Sequence, residues 1–227
     1  MIPRTSKLGL NVTKRCNWRC AHCFFRHEAG YFVNEDVSLP DIMTQVEAGK
    51  ARGSNHAYII GWGESTLWPH LVDWIDQCKA IGVSTSIISN GTASTRFYEN
   101  LYNHGLNHLH LSVHGFGDVI NAIAESQIAD KKQTETLTWL KESELPWRSN
   151  TTLQLLNYQH LPEIFEKIID YGSRHLVICG FLPHYGWETR LREVAVAPAV
   201  SRPFIEAALD KAIAANRWLT MRYFPYC

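Results

Sequence analysis

Six short apolar, β-branched runs bounded by Gly, Asn or Pro recur along the chain, at Leu8 to Val12, Ala57 to Trp62, Ser84 to Ser89, Leu109 to Val113, Asn150 to Leu156 and His175 to Phe181. The stretches between them change period. Leu71, Trp74, Ile75 and Cys78 fall at i, i+3, i+4 and i+7, as do Leu161, Ile164, Phe165 and Ile168, so each set forms the buried stripe of a helix. A first helix is expected from Ser38-Leu39-Pro40, where Ser38 caps and Pro40 suits the first turn, to Arg52-Gly53. Others are expected over Leu71 to Ile81, Thr95 to Asn103, Thr134 to Ser143, His160 to Tyr171 and Arg202 to Ala215, the last with Phe204, Ile205, Ala208 and Ile213 inward. A terminal strand follows at Trp218 to Phe224. Strand and helix therefore alternate, which argues for an α/β fold of parallel strands with covering helices. Six such units and a tail fit an open doubly wound sheet or an incomplete barrel. In either, functional residues gather at the carboxyl ends of the strands.

Composition narrows the classes. A chain of 227 residues is long enough for one domain with a substantial core. A second independent domain is not expected; the residues from about 182 onward read as a helix and strand tail. The 22 basic and 22 acidic residues cancel, so no bulk field draws the protein to nucleic acid or to an anionic membrane. The start has no apolar run of signal-peptide length, and no later stretch reaches the ~18 uninterrupted apolar residues of a membrane span. A cytoplasmic protein is expected.

The six cysteines, at 16, 20, 23, 78, 179 and 227, are too clustered for a disulfide-stapled scaffold. Cys78 and Cys179 lie in apolar segments and read as small buried hydrophobes. Cys16, Cys20 and Cys23 follow the first strand with spacing Cys-x3-Cys-x2-Cys, like ligands on one loop around a single soft-metal centre. Thiolates select iron–sulfur clusters, zinc or copper(I), and three protein ligands leave one position open for chemistry. The rival to a cluster is zinc held by these thiols with His22 or His27, in a zinc-stabilised binding protein. No second Cys-x-x-Cys or His pair stands at zinc-finger spacing, and adjacent residues such as His22 and Cys23 rarely both reach one ion.

The cysteine spacing, just after a first strand, resembles that of the radical S-adenosylmethionine (radical SAM) enzymes. The resemblance runs from about Lys7 to Phe181 and implies a partial (β/α)6 barrel. It also implies a [4Fe-4S] cluster on Cys16, Cys20 and Cys23, whose fourth iron is chelated by the amino and carboxylate groups of SAM. Reductive cleavage would give a 5′-deoxyadenosyl radical that removes hydrogen from a substrate, peptide or small metabolite, with an external electron donor such as flavodoxin or ferredoxin. Gly61-Trp62-Gly63-Glu64-Ser65 resembles the family's Gly-Gly-Glu-Pro motif, which holds the SAM amino group; here a Trp separates the glycines and Ser65 replaces Pro. Ser89-Asn90-Gly91 resembles its Thr-Asn-Gly. Ser112 falls where polar residues meet the ribose or carboxylate of SAM, and Arg148 and Asn150 on the fifth strand are candidates for its carboxylate. His114, with His184 and Tyr185 in the loop after the sixth strand, is expected on the substrate side. Cys227 stands where some subfamilies begin the ligand set of a second cluster. The altered glycine motif keeps a further alternative open, a degenerate and non-catalytic radical SAM partner module.

Overall fold

The computed structural model describes residues 7–23, 25, 35–181 and 191–224. Its sheet contains β1 (Leu8–Leu10), β2 (His56–Ile59), β3 (Ser84–Ser89), β4 (His108–Ser112), β5 (Trp147–Thr152), β6 (His175–Cys179) and β7 (Trp218–Arg222). All neighbouring strands pair in parallel and in chain order. Among the described residues β1 and β7 do not pair with each other, and the sheet curves as an open partial barrel. The expected α/β half-barrel is therefore the fold.

The helices form where the stripes and caps direct them. In α1 (Leu39–Ala51) the Ser38 hydroxyl accepts from the Asp41 amide at 3.3 Å. The helix α2 (Leu71–Ala80) buries Leu71, Trp74, Ile75 and Cys78, and α6 (Leu161–Asp170) buries Leu161, Ile164, Phe165 and Ile168. Both stripes are the expected ones. They pack on the outward strand residues Ala57, Ile59, Ile87, Leu109, Leu111, Leu176 and Ile178, all buried. Each large aliphatic side chain so buried contributes about 1.5–3 kcal/mol. In α3 (Thr95–His104) Ser94 caps the start, and Gly105, at φ +117°, closes the end in the left-handed region that favours glycine.

Three expectations are corrected. The fifth strand begins at Trp147 and ends at Thr152; beyond it Asn157 Oδ1 accepts from Gln154 N at 2.9 Å and turns the chain, leaving Leu155 and Leu156 exposed. The region before it holds two helices, α4 (Asp118–Ala124) and α5 (Ala129–Glu142), where one was expected. Finally, after the short α7 (Leu191–Val194), α8 (Pro198–Ala214) starts four residues earlier than expected. Its buried stripe is Ser201, Ile205, Ala208 and Ala212, which turns Ile213 to solvent at 72% exposure. Among the described residues no helix is long and apolar enough to cross a membrane.

Candidate active site

At the carboxyl ends of the strands lies a cavity of about 340 Å³, within the range of small-molecule sites. Cys16, Cys20 and Cys23 line it together with Gly61, Gly63, Glu64, Asn90, Ser112 and His114. The structure thus brings most of the sequence candidates to one place from four successive strand ends. It does not bring Arg148 and Asn150 there. Asn150 shares a register position with Ser112, but Arg148 lies at the start of β5, level with His110. His184, Tyr185, His27 and Cys227 lie outside the described residues.

The cysteine loop is held from three sides. Glu64 N donates to Arg15 O at 2.8 Å, which ties the glycine turn to the residue before Cys16. Gly63 packs so closely there that a Cβ would overlap the Arg15 backbone, and this explains a glycine at that position. The Arg15 guanidinium meets Asp36 at 2.8 Å and also donates to Leu67 O. On the second side Asn17 bridges to β3, accepting from Asn90 Nδ2 at 2.8 Å and donating to Thr92 Oγ1 at 2.7 Å. On the third, Arg19 N and Ala21 N donate to Ala124 O and Ile123 O at 3.1 and 3.0 Å, while Trp18 packs on Ile120, Ala124 and Ala129. The additional helix before β5, α4, which had no counterpart in the expected elements, is therefore the support of the cysteine loop. Its signal was present in Ile120, Ile123 and Ala124, at i, i+3 and i+4 after Gly117-Asp118.

Glu64 is 3% exposed and accepts four hydrogen bonds. Its Oε1 takes Thr66 N at 3.1 Å, Thr66 Oγ1 at 2.7 Å and Ser89 Oγ at 2.7 Å, and Oε2 takes Asn90 N at 2.7 Å. Burial pushes its pKa up and these donors pull it back. The carboxylate is consequently a tie between the turn after β2 and the end of β3. The Gly61 to Gly63 turn lines the cavity beside it.

Burial pushes the Cys16 thiol up to about 12, so it gives up its proton on binding a metal rather than to water. Among the described residues no three Cys, His, Asp or Glu side chains lie close enough to share one ion. Thiolates that each take a separate iron of a cluster need no such convergence. The three thiols, the water-poor wall of Trp18 and the adjacent glycine turn fit a cluster with an open iron.

Behind the thiols, His22 and His114 meet edge to face with centroids 4.4 Å apart. His114 Nδ1 accepts from Thr152 N at 3.1 Å, and His22 Nδ1 lies 2.8 Å from Gln154 Nε2. Each ring then carries its proton on Nε2. Burial holds His22 down at about 4 and His114 well below its ordinary value, so both are neutral near pH 7. Gln154, Asn157 and Asn17 had no signal in periodicity or motif; only the folded chain sets them at the site.

The sequence model of the radical SAM superfamily matches residues 10–172. This chain belongs to the radical SAM superfamily. It is 26% identical over 190 residues to the PqqA peptide cyclase of Methylorubrum populi, covering 82% of this chain and 48% of that protein. Streptococcus suis SuiB bound to its precursor peptide SuiA superposes with a TM-score of 0.79 at 16% identity, over 97% of this chain and 49% of SuiB. SuiB bound to S-adenosylmethionine gives a TM-score of 0.74 at 15% identity, over 97% of this chain and 47% of that one. These two likenesses show the radical SAM fold. The chain spans about half the length of the curated relatives it matches.

Proposed function

We propose that this chain is the radical-generating core of a radical SAM enzyme that acts on a peptide. The observation that carries the reading is the shared cavity: three thiols of the loop after β1 and the Gly61 to Glu64 turn after β2, at the carboxyl ends of neighbouring parallel strands, line the same space. When bound there, a [4Fe-4S] cluster with SAM on its open iron supplies reductive cleavage of SAM and a 5′-deoxyadenosyl radical for hydrogen abstraction. Cys16, Cys20 and Cys23 hold the cluster. Carbonyls of the Gly61 to Gly63 turn accept from the SAM ammonium, and Asn90 and Ser112 bond to its polar groups. The Cys179-Gly180-Phe181 segment, which lines the cavity on the far side, presents backbone to the adenine. His114 stands toward the substrate as a neutral Nε2–H donor. A peptide substrate is favoured by the likeness to a PqqA peptide cyclase and to SuiB bound to its precursor peptide SuiA. The setting implied is the cytoplasm, with flavodoxin or ferredoxin as electron donor.

The test is anaerobic reconstitution with iron and sulfide. The expected product is brown, gives a [4Fe-4S]+ EPR signal that SAM perturbs, and releases 5′-deoxyadenosine on reduction. A chain that binds zinc and assembles no cluster would falsify the reading. One that assembles the cluster but never cleaves SAM, peptide included, would be the non-catalytic partner module instead.

A further inference from the structure

The concave inner face of the sheet, below the cysteine cavity, carries positive charge, and among the described residues no carboxylate pairs with it. None of the seven strands contains an Asp or a Glu. Their inward positions nevertheless hold His56, His108, His110, Arg148, His175 and Arg222. The interior of a parallel β/α barrel is ordinarily filled by branched apolar side chains. A polar interior of one charge sign needs another reason.

Arg148 is at its centre. The half-buried guanidinium donates to His110 Nδ1 at 3.0 Å. The groups that act on it electrostatically are Arg222, Cys179 and Tyr58, and among the described residues no carboxylate pairs with it. Because His110 Nδ1 accepts, that ring's proton sits on Nε2 and makes it a second donor. Arg148 Nε is buried with no partner, and so is Nδ1 of His108, whose ring lies 4.9 Å from that of His110. The neighbours are already engaged. His56 bonds Ser84 Oγ and Ser86 Oγ at 2.8 and 2.9 Å, and His175 Nε2 bonds Thr220 Oγ1 at 2.8 Å. No three of these histidines lie close enough to share a metal ion.

A guanidinium stays charged in any protein, and one held partly out of water with an unused N–H lacks a counter-ion. Planar oxyanions match its fork in geometry as well as charge. The histidines add to this as neutral donors. Burial, with Arg148 next, holds His108 down at about 4 and His110 at about 2, so neither competes for the anion as a second cation near pH 7.

We propose that this inner face is an oxyanion-binding subsite, built on the Arg148–His110 pair, that takes a carboxylate or phosphate group of the substrate. It rests on the proposed function only for the word substrate. Strands rise about 3.3 Å per residue, so Arg148 sits roughly 13 Å along β5 from Thr152, which lines the cavity. A substrate anchored at Arg148 extends past Asn150 and Ser112 toward the thiols. Arg148 is thereby moved from the SAM carboxylate, where the resemblance put it, to a substrate anion.

The test is a titration of the chain with inorganic phosphate and, separately, acetate at constant ionic strength set with chloride, with and without reconstituted cluster. Histidine ring resonances are followed by NMR. Saturable shifts of the His108 and His110 rings are expected with at least one oxyanion, and the tighter of the two names the substrate group. Arg148→Gln should weaken binding about tenfold or more, with Arg148→Lys between it and the wild type. If Arg148→Gln fails to fold, Arg222→Gln must weaken binding measurably. Absence of saturation with both anions, equal binding by Arg148→Gln, or displacement of the bound anion by SAM would overturn the proposal. Anion binding by a chain that assembles no cluster would sink the radical SAM activity alone; a cluster without anion binding would sink this subsite alone.

Discussion

Replacing Glu64 by Gln separates a structural tie from a ligand contact, because the two roles predict opposite losses. The carboxylate accepts three bonds at Oε1 and one at Oε2. A glutamine carbonyl placed at the Oε1 position keeps the three, but as neutral bonds each about 1 kcal/mol weaker than their charged counterparts. Its amide group then faces Asn90 N–H, donor against donor, and a buried unpaired N–H costs about 1–3 kcal/mol. Against this total of about 4–6 kcal/mol stands the relief of no longer burying a charge, whose sign is visible in the upward shift of the Glu64 pKa. A net destabilisation of about 2–3 kcal/mol is expected. Guanidinium denaturation of wild type and variant at pH 7 measures it, as a lower midpoint at unchanged slope. After reconstitution, SAM affinity should fall by less than about tenfold, since the proposed partners of the ammonium are carbonyls of the Gly61 to Gly63 turn. Stability within about 0.5 kcal/mol of wild type together with abolished SAM binding would refute the reasoning, and would mean that the carboxylate turns to the ligand.

Cys20→Ala should leave the reconstituted protein without its iron, whereas Cys78→Ala, in the core under α2, should keep full iron content and lose about 1 kcal/mol of stability; equal iron loss in both would mean a wrong ligand set. Gly63→Ala puts a methyl group onto the Arg15 backbone and should lower cluster yield with little change in far-UV circular dichroism; normal yield would show that the loop and the turn move independently. His110→Asn keeps an acceptor for Arg148 and removes a titrating ring, so it tests the pH dependence. Above pH ~6.5 that histidine is neutral in both states, and as pH falls the unfolded chain takes a proton that the folded one, with His110 held at about 2, refuses. Wild-type stability should accordingly fall faster than that of the variant between pH 6 and 4, by up to about 1.4 kcal/mol per pH unit; parallel curves would show that His110 takes up its proton in the folded state.

The order of elements and the cysteine loop were legible because each depends on local signals. Stripes at helical spacing, a serine cap before Pro40, and three thiols within eight residues carry their meaning wherever the chain runs. The supports of that loop were not legible, because they are long-range. Asn17 reaches Asn90 and Thr92, Gln154 reaches His22 across 132 residues, and α4 holds the loop through backbone carbonyls, which any sequence supplies.

Arg148 shows where reading strand by strand fails. Motif order placed it with the cofactor because the other candidates sit on successive strands, yet a strand has two ends and two faces, and only pairing decides which level a residue occupies. Its register with His110 sets it below the level of Ser112 and Asn150. The apolar pattern also hid the inner face. Every strand reads as β-branched and hydrophobic because its outward residues pack under helices, while the polar residues between them, His56, His108, His110, Asn150 and Thr220, look like solvent positions. In a half-barrel they sit on the concave face, where His110 is buried and His56, His108, Asn150 and Thr220 are half-buried. Two residue sets with the same alternation thus have different fates, and on the inner face His108 Nδ1 and Arg148 Nε are left buried without a partner. On the two proposals the labour divides accordingly: cofactor chemistry in the loops at the carboxyl ends, and selection of the substrate in the inward positions of the strands beneath them.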